Sequence, residues 1–165
     1  MENGKTAAKI QATFELNGRQ LSLEVDPVLR LVDLLRDQLH MTGTKISCGI
    51  GRCGACSVLL DGKVVNACLV LAYQIDGSHI TTIEGIQKGG ELDLIQQCFL
   101  EEGGFQCGYC TPGMIMAAKA LTDENLFPGD EEIIEALSGN LCRCTGYGGI
   151  LRALYRFKAE KAKES

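Results

Sequence analysis

Long apolar runs are missing from this sequence, and so is any excess of positive charge. No window is apolar over the roughly 18 residues that a membrane-crossing helix needs, which excludes a helical span. The opening residues, MENGKTAAKI, contain neither the apolar core of an export signal nor a pair of arginines, so a cytoplasmic location is expected. Lys and Arg number 16 against 21 Asp and Glu, a formal charge of −5. The basic residues are scattered apart from a charged tail at Lys158 to Lys163, and no general affinity for nucleic acid or an anionic membrane is expected. There is no G-x-x-x-x-G-K-[ST] loop and no G-x-G-x-x-G opening a helix after a strand, so those phosphate-binding devices are excluded. Histidine is scarce as well. His40 and His79 fall at a helix end and in a strand without an evident partner, and read as structural or exposed. No part of the chain is built to bind a substrate.

What is abundant is sulfur: nine cysteines in 165 residues. In a reducing compartment thiols stay reduced, so metal or redox chemistry explains them better than a disulfide framework. Cys48, Cys53, Cys56 and Cys68 form one group, and Cys107, Cys110, Cys142 and Cys144 a second. Cys98 stands apart on the apolar side of a predicted helix, where it reads as a small packed hydrophobe.

The pattern around the first group is α+β. Ile10, Ala12, Phe14 and Leu16 alternate with polar residues, as do Leu21, Leu23 and Val25 after Asn17-Gly18, which predicts a hairpin with a tight turn. Leu31, Leu34, Leu35 and Leu39 predict a helix of about three turns. Ser57 to Leu60 and Lys63 to Asn66 flank Asp61-Gly62 as a second hairpin, and His79 to Ile83 reads as a further strand. Two hairpins with a helix between them resemble a β-grasp sheet.

From Gly89 onward the period is helical. Leu92, Ile95, Phe99 and Leu100 mark one helix, stopped by Gly103-Gly104; Met114 to Leu121 mark a second, opened by Thr111-Pro112. Ile133, Ile134 and Leu137 mark a third, closed by Ser138-Gly139, and Ile150, Leu151, Leu154 and Phe157 a fourth. Asp123, Glu124, Asp130, Glu131 and Glu132 read as a solvated helix approach. The expected division is a β-grasp domain over 8–87 and a four-helix bundle over 88–160.

Cys48-x4-Cys53-x2-Cys56, with Cys68 after eleven further residues, begins with the spacing of plant-type [2Fe–2S] ligation. Such a centre with four thiolates is anionic and needs donors. Gly49, Gly51 and Gly54 let backbone N–H groups approach sulfur and permit positive φ. Lys45 and Arg52 are candidates for offsetting charge. In the second group, Cys107-x2-Cys110 and Cys142-x-Cys144 each precede a helix, whose N-terminus favours an anion. Arg143 either adds compensation or faces water. On local grounds four cysteines also suit zinc. A thioredoxin-like disulfide in CGYC fits less well, since both flanks are helical rather than βαβ.

CGIGRCGACSV with Cys68, then FQCGYCTPGMIM, then LSGNLCRCTGY, resembles the small iron–sulfur subunit of the molybdenum hydroxylases, the group that includes xanthine dehydrogenase, nicotinate dehydrogenase, aldehyde oxidoreductase and aerobic carbon monoxide dehydrogenase. The resemblance spans roughly residues 10 to 157, and the short gap before Cys68 agrees with it. Ser57, where Thr is usual, and Gly148-Gly149 depart from the pattern without touching a ligand. The resemblance implies a plant-type ferredoxin-like N-terminal domain followed by a four-helix bundle, two [2Fe–2S] clusters, one on each cysteine group, and electron transfer rather than substrate chemistry on this chain. It implies that Gln106 and Cys144 contact the pterin of a molybdenum cofactor. The expected partners are a large molybdopterin-binding subunit and an FAD-binding medium subunit, in a heterotrimer or its dimer. Electrons then run from molybdenum through the Cys107/Cys110/Cys142/Cys144 centre to the Cys48/Cys53/Cys56/Cys68 centre and on to FAD or another acceptor. An independent two-cluster ferredoxin and a zinc-stabilised interaction module are the alternatives.

Overall fold

The computed structural model describes residues 8–164, so most of the opening stretch read for an export signal lies outside the described residues. Strands β1 (Ile10–Leu16) and β2 (Arg19–Val25) pair antiparallel, with Phe14 opposite Leu21. Asn17 and Gly18 turn between them at φ 52° and 82°, the positive pair that a tight hairpin requires. β3 (Ser57–Leu60) and β4 (Lys63–Asn66) form the second hairpin around Asp61 and Gly62, again both at positive φ. β5 (His79–Thr81) joins the two hairpins, parallel to β1 and antiparallel to β3, giving a mixed sheet of order β2-β1-β5-β3-β4.

The expected three-turn helix is shorter and irregular. α1 (Leu31–Asp33) passes at once into a π-helical turn, Leu34–Gln38, in which Leu39 N–H reaches back to the Leu34 carbonyl at 3.1 Å. Leu31, Val32, Leu34 and Leu35 are all buried with Phe14, Ile75 and Ile80. Full burial contributes about 1.5–3 kcal/mol for each such side chain, so packing outweighs the preference for a regular helix. His79 also differs from expectation. Its imidazole lies 3.4 Å from an Asp61 carboxylate oxygen and 3.8 Å from one of Glu15, so it has acidic partners.

The second half contains α2 (Leu94–Glu101), α3 (Thr111–Glu124), α4 (Asp130–Leu137) and α5 (Gly148–Glu164). Asp93 caps α2 by accepting from Ile95 N–H, while Gln96 accepts from Asp93 N–H, a reciprocal capping box. Pro112 occupies the first turn of α3, where its missing N–H costs nothing. Ile95, Phe99, Met114, Ile133, Ile150 and Leu154 close a second core. Leu92, Leu100 and Ile134 do not join it: all three are exposed, although helical spacing assigns them inward. Cys98 is in that core, and burial pushes its thiol up to about 11.

The two cores abut. Leu59 of β3 belongs to the helical core, and α3 lies across β3 and β4. A Cβ at Gly113 in α3 would collide with the Gly54 carbonyl, so helix backbone and cysteine loop meet without a side chain between them.

Candidate metal centres

The loop between the π-helical turn and β3 presents Cys48, Cys53 and Cys56, and the turn after β4 brings Cys68 to them. Gly49, Gly51 and Gly54 have φ of 66°, 74° and 66°, the left-handed region that glycine enters without a Cβ penalty. That winding aims backbone donors at sulfur: Ile50 and Arg52 N–H point to Cys48 Sγ at 3.5 and 3.3 Å, and Gly51 N–H to Cys68 Sγ at 3.2 Å. These bonds favour the thiolate and bring Cys48 down to about 6. Cys56 is buried, and desolvation raises it to about 12.

Charge compensation here comes from a residue that sequence reasoning missed. Arg30 is held by a two-pronged contact to Asp33 at 2.7 and 3.1 Å and lies within electrostatic reach of Cys68 and Cys56. Its guanidinium would be 3.6 Å from a Cβ at Gly49. The only signal in the sequence is a lone arginine before the apolar helix. Lys45 instead donates its ammonium to the Thr42 carbonyl, and the exposed Arg52 serves the site through its backbone.

The second set converges from two helix starts. Cys110 occupies the residue before the first turn of α3, and Gly108 at φ 78° turns the chain between it and Cys107. Cys142 and Cys144 precede α5. A cavity of about 160 Å³ lies among these four residues, with Cys53, Ala55 and Tyr109 also on its wall. Cys107 and Cys144 are exposed, whereas Cys110 and Cys142 are half-buried. Burial and the neighbouring Cys142 raise Cys110 to about 12. Burial also opposes ionisation of Cys142, but hydrogen bonds from the Thr145 hydroxyl and nearby backbone outweigh it and lower this thiol to about 7.

Tyr147 secures the Cys142 loop, a role the sequence reading did not assign. It sits at φ 64°, a strained conformation for a bulky residue. Its hydroxyl accepts from Cys142 N–H at 2.9 Å and donates to the Asn140 carbonyl at 3.1 Å. Arg143 is exposed, in keeping with its water-facing reading. Gln106 is exposed too, and its amide is not buried against the loop backbone.

The donor set fits a binuclear iron–sulfur group. Cys107 and Cys144 sulfurs are 3.7 Å apart. Two thiolates ~2.3 Å from one tetrahedral metal are separated by about 3.7 Å. Cys48 with Cys53, Cys56 with Cys68, and Cys110 with Cys142 are neighbouring thiols as well. Two sets of four thiols, with sulfurs close in twos, match the four-cysteine ligation of a [2Fe–2S] group at each site. The buried hydroxyls of Thr44 and Thr111, near the two sets in sequence, find no partner among the described residues and remain available as donors.

The two sites touch through backbone. Leu141 N–H donates to the Cys53 carbonyl at 2.9 Å, and the Asn140 amide donates to the Gly54 carbonyl at 3.0 Å. The Tyr109 hydroxyl donates to the Ile46 carbonyl, tying the CGYC turn to the first loop.

Comparison with known proteins agrees with this geometry. A family model described as "2Fe-2S iron-sulfur cluster binding domain" matches residues 14–80, and one described as "[2Fe-2S] binding domain" matches residues 82–155. The chain is similar to a probable xanthine dehydrogenase subunit of Bacillus subtilis, at 60% identity over 92% of this chain and 87% of that one. It is 52% identical to the nicotinate dehydrogenase small FeS subunit of Eubacterium barkeri, over 93% of this chain and 97% of that one. Among solved structures, quinoline 2-oxidoreductase from Pseudomonas putida 86 matches with a TM-score of 0.89 at 39% identity, covering 96% of this chain and 99% of the matched one.

Proposed function

Because the chain belongs to the small iron–sulfur subunits of the molybdenum hydroxylases, electron-transfer components with two [2Fe–2S] domains, we propose that its two cysteine sets are the two ligand sets. Cys48, Cys53, Cys56 and Cys68 hold one cluster in a β-grasp domain over 8–87. Cys107, Cys110, Cys142 and Cys144 hold the other in a four-helix bundle over 88–160. A [2Fe–2S] group takes up and releases one electron at a time. The observation that carries the assignment is the partition of the thiols: Cys107, Cys110, Cys142 and Cys144 line one cavity, Cys48 and Cys68 take N–H donors from one glycine-rich loop with Cys53 and Cys56 as their neighbouring thiols, and Cys98 lies in the helical core away from both sets.

The chain's own residues position and insulate. Backbone N–H groups of Ile50, Gly51 and Arg52 neutralise sulfur charge in the first set. Cys107 and Cys144 leave the second set open on one edge, beside the exposed Gln106, and that edge faces the pterin of a large molybdopterin-binding subunit. An apolar groove of about 340 Å³ has Leu92, Leu100 and Phe105 on its wall, the last adjacent to Gln106 in the chain. Apolar surface of that kind suits a subunit better than a free carrier. The first set serves an FAD-binding medium subunit, and the assembly is a heterotrimer or its dimer in the cytoplasm. Substrate oxidation releases two electrons, which this chain passes on singly.

Purification of the assembled complex tests the reading. Larger chains should accompany this one, with about four iron and four acid-labile sulfide per copy. Dithionite should develop two distinct rhombic electron paramagnetic resonance (EPR) signals. A chain that purifies alone, or a single signal at full iron content, would overturn it.

A further inference from the structure

We propose that Thr145 is a positioning residue that raises the reduction potential of the second cluster through an O–H···S hydrogen bond to Cys142. The inference rests on the reading of Cys142 as a ligand and adds a regulator to that site. Thr145 Oγ1 lies 3.1 Å from Cys142 Sγ. The same oxygen accepts from Tyr147 N–H at 3.1 Å. A hydroxyl has one proton and two lone pairs. With an N–H already directed at a lone pair, the proton is free to point at sulfur, and the accepted bond polarises the donated one.

The loop is shaped to hold this arrangement. Tyr147 adopts φ 64°, and that strained turn brings its N–H back to the Thr145 oxygen. Strain of this kind costs about 1–3 kcal/mol and persists only where surrounding contacts over-determine it. Those contacts are the bonds between the Tyr147 hydroxyl and Cys142 N–H and between that hydroxyl and the Asn140 carbonyl. Tyr147 therefore grips the backbone of the same cysteine whose sulfur Thr145 addresses.

The first set is built differently. Its Cys48 and Cys68 sulfurs receive main-chain donors, the N–H groups of Ile50, Gly51 and Arg52. Among the described residues, Thr145 is the hydroxyl that donates to a cysteine sulfur. Potential at the second set is thus adjustable by one side chain.

The direction follows from charge. Reduction adds one electron, makes a dianionic centre trianionic, breaks no bond and leaves the proton on Thr145; the electron comes from substrate oxidation in the holoenzyme. A donor at sulfur stabilises the more negative state more strongly, so it raises the potential. The centre that first receives electrons is thereby made the more willing acceptor.

The test is a redox titration of the intact complex followed by EPR, comparing Thr145→Val and Thr145→Ser with the parent. In Thr145→Val one signal should titrate at a more negative potential while the other stays in place, and Thr145→Ser should restore the parent value. A residue that merely caps the approach to α5 would lower the melting temperature without moving either midpoint. Unchanged midpoints in Thr145→Val, with both signals at full occupancy, would overturn the proposal. Should that variant lose a cluster, Thr145→Ala takes its place: a more negative midpoint for one signal alone supports the proposal, and unchanged midpoints refute it. Cys142→Ala separates this from the ligand assignment. Loss of one signal there upholds the ligand, whatever Thr145→Val does, whereas two intact signals would sink the assignment itself.

Discussion

Leu141 donates its backbone N–H to the carbonyl of Cys53 at 2.9 Å. One partner is itself a residue of the first thiol set, and the other is joined by a peptide bond to Cys142 of the second. Atoms in bonded or hydrogen-bonded contact therefore run from one set to the other without a gap. The neighbouring Asn140–Gly54 bond and the Gly113–Gly54 contact hold that junction in register.

Asn140→Ala should loosen the junction without removing a ligand. The amide is buried, 5% exposed, and its loss leaves the Gly54 carbonyl without that donor. Ser57 N–H and its hydroxyl still serve that carbonyl, so the expected cost is that of one hydrogen bond, about 0.5–1.5 kcal/mol, read as a lower denaturation midpoint. Both EPR signals should survive, with slower electron passage between them in stopped-flow reduction by substrate.

Gly113→Ala should be more damaging than Gly62→Ala, though both are single methyl additions. At Gly113 the methyl would run into the Gly54 carbonyl, and helix and loop must separate; overpacking of this sort costs about 1–3 kcal/mol. At Gly62 there is open space, and only the positive φ of 80° is penalised, by about 1 kcal/mol. Thermal denaturation of the two variants gives the order, and only Gly113→Ala should also weaken coupling between the sets.

Cys110→Ser and Cys98→Ala should separate ligand from core residue. The first should remove one EPR signal and leave the other. The second deletes a buried thiol from an apolar core and should keep both signals, with a loss of stability of about 1 kcal/mol measured by chemical denaturation. Loss of a signal in Cys98→Ala would mean that the nine thiols are partitioned wrongly.

Alkylation of folded, iron-free protein should discriminate among thiols. At neutral pH Cys48, brought down to about 6, is mostly thiolate and Cys142, at about 7, about half so, whereas Cys56 and Cys110, at about 12, are not. Iodoacetamide at pH 7 should modify the first two ahead of the second two, as mass spectrometry would show. For a depressed thiol the stabilising effect is present above the unfolded value, ~8.5, and is lost as pH falls through the folded one. Labelling of Cys48 should accordingly fade below about pH 6.

Much of this molecule is legible along the chain, because the signals are local. Asn17-Gly18 and Asp61-Gly62 demand turns through the φ they tolerate, and Pro112 can open a helix but not continue one. Gly49, Gly51 and Gly54 do what their positions imply, since a loop that directs N–H groups at sulfur must enter conformations closed to other residues. Cysteine spacing separates two groups, and periodicity separates sheet from helices.

Other features depend on contacts between distant segments. Leu100 and Ile134 keep helical spacing yet stay exposed, because the cores are closed by other residues, and Leu92 is exposed because α2 starts only after the Asp93 cap. The π-helical turn after Asp33 follows from how four consecutive or near-consecutive apolar side chains are accommodated beneath the sheet. Arg30 reaches the thiols only because α1 packs beside their loop, and Tyr147 has a role only because its hydroxyl finds Cys142 and Asn140. By itself the sequence determined the turns, the periods and the two thiol groups, since backbone sterics and ligand spacing act over a few residues. Only the tertiary structure decided which thiols neighbour one another and how Leu141 meets Cys53, because those appositions exist once two separate apolar cores have closed against each other.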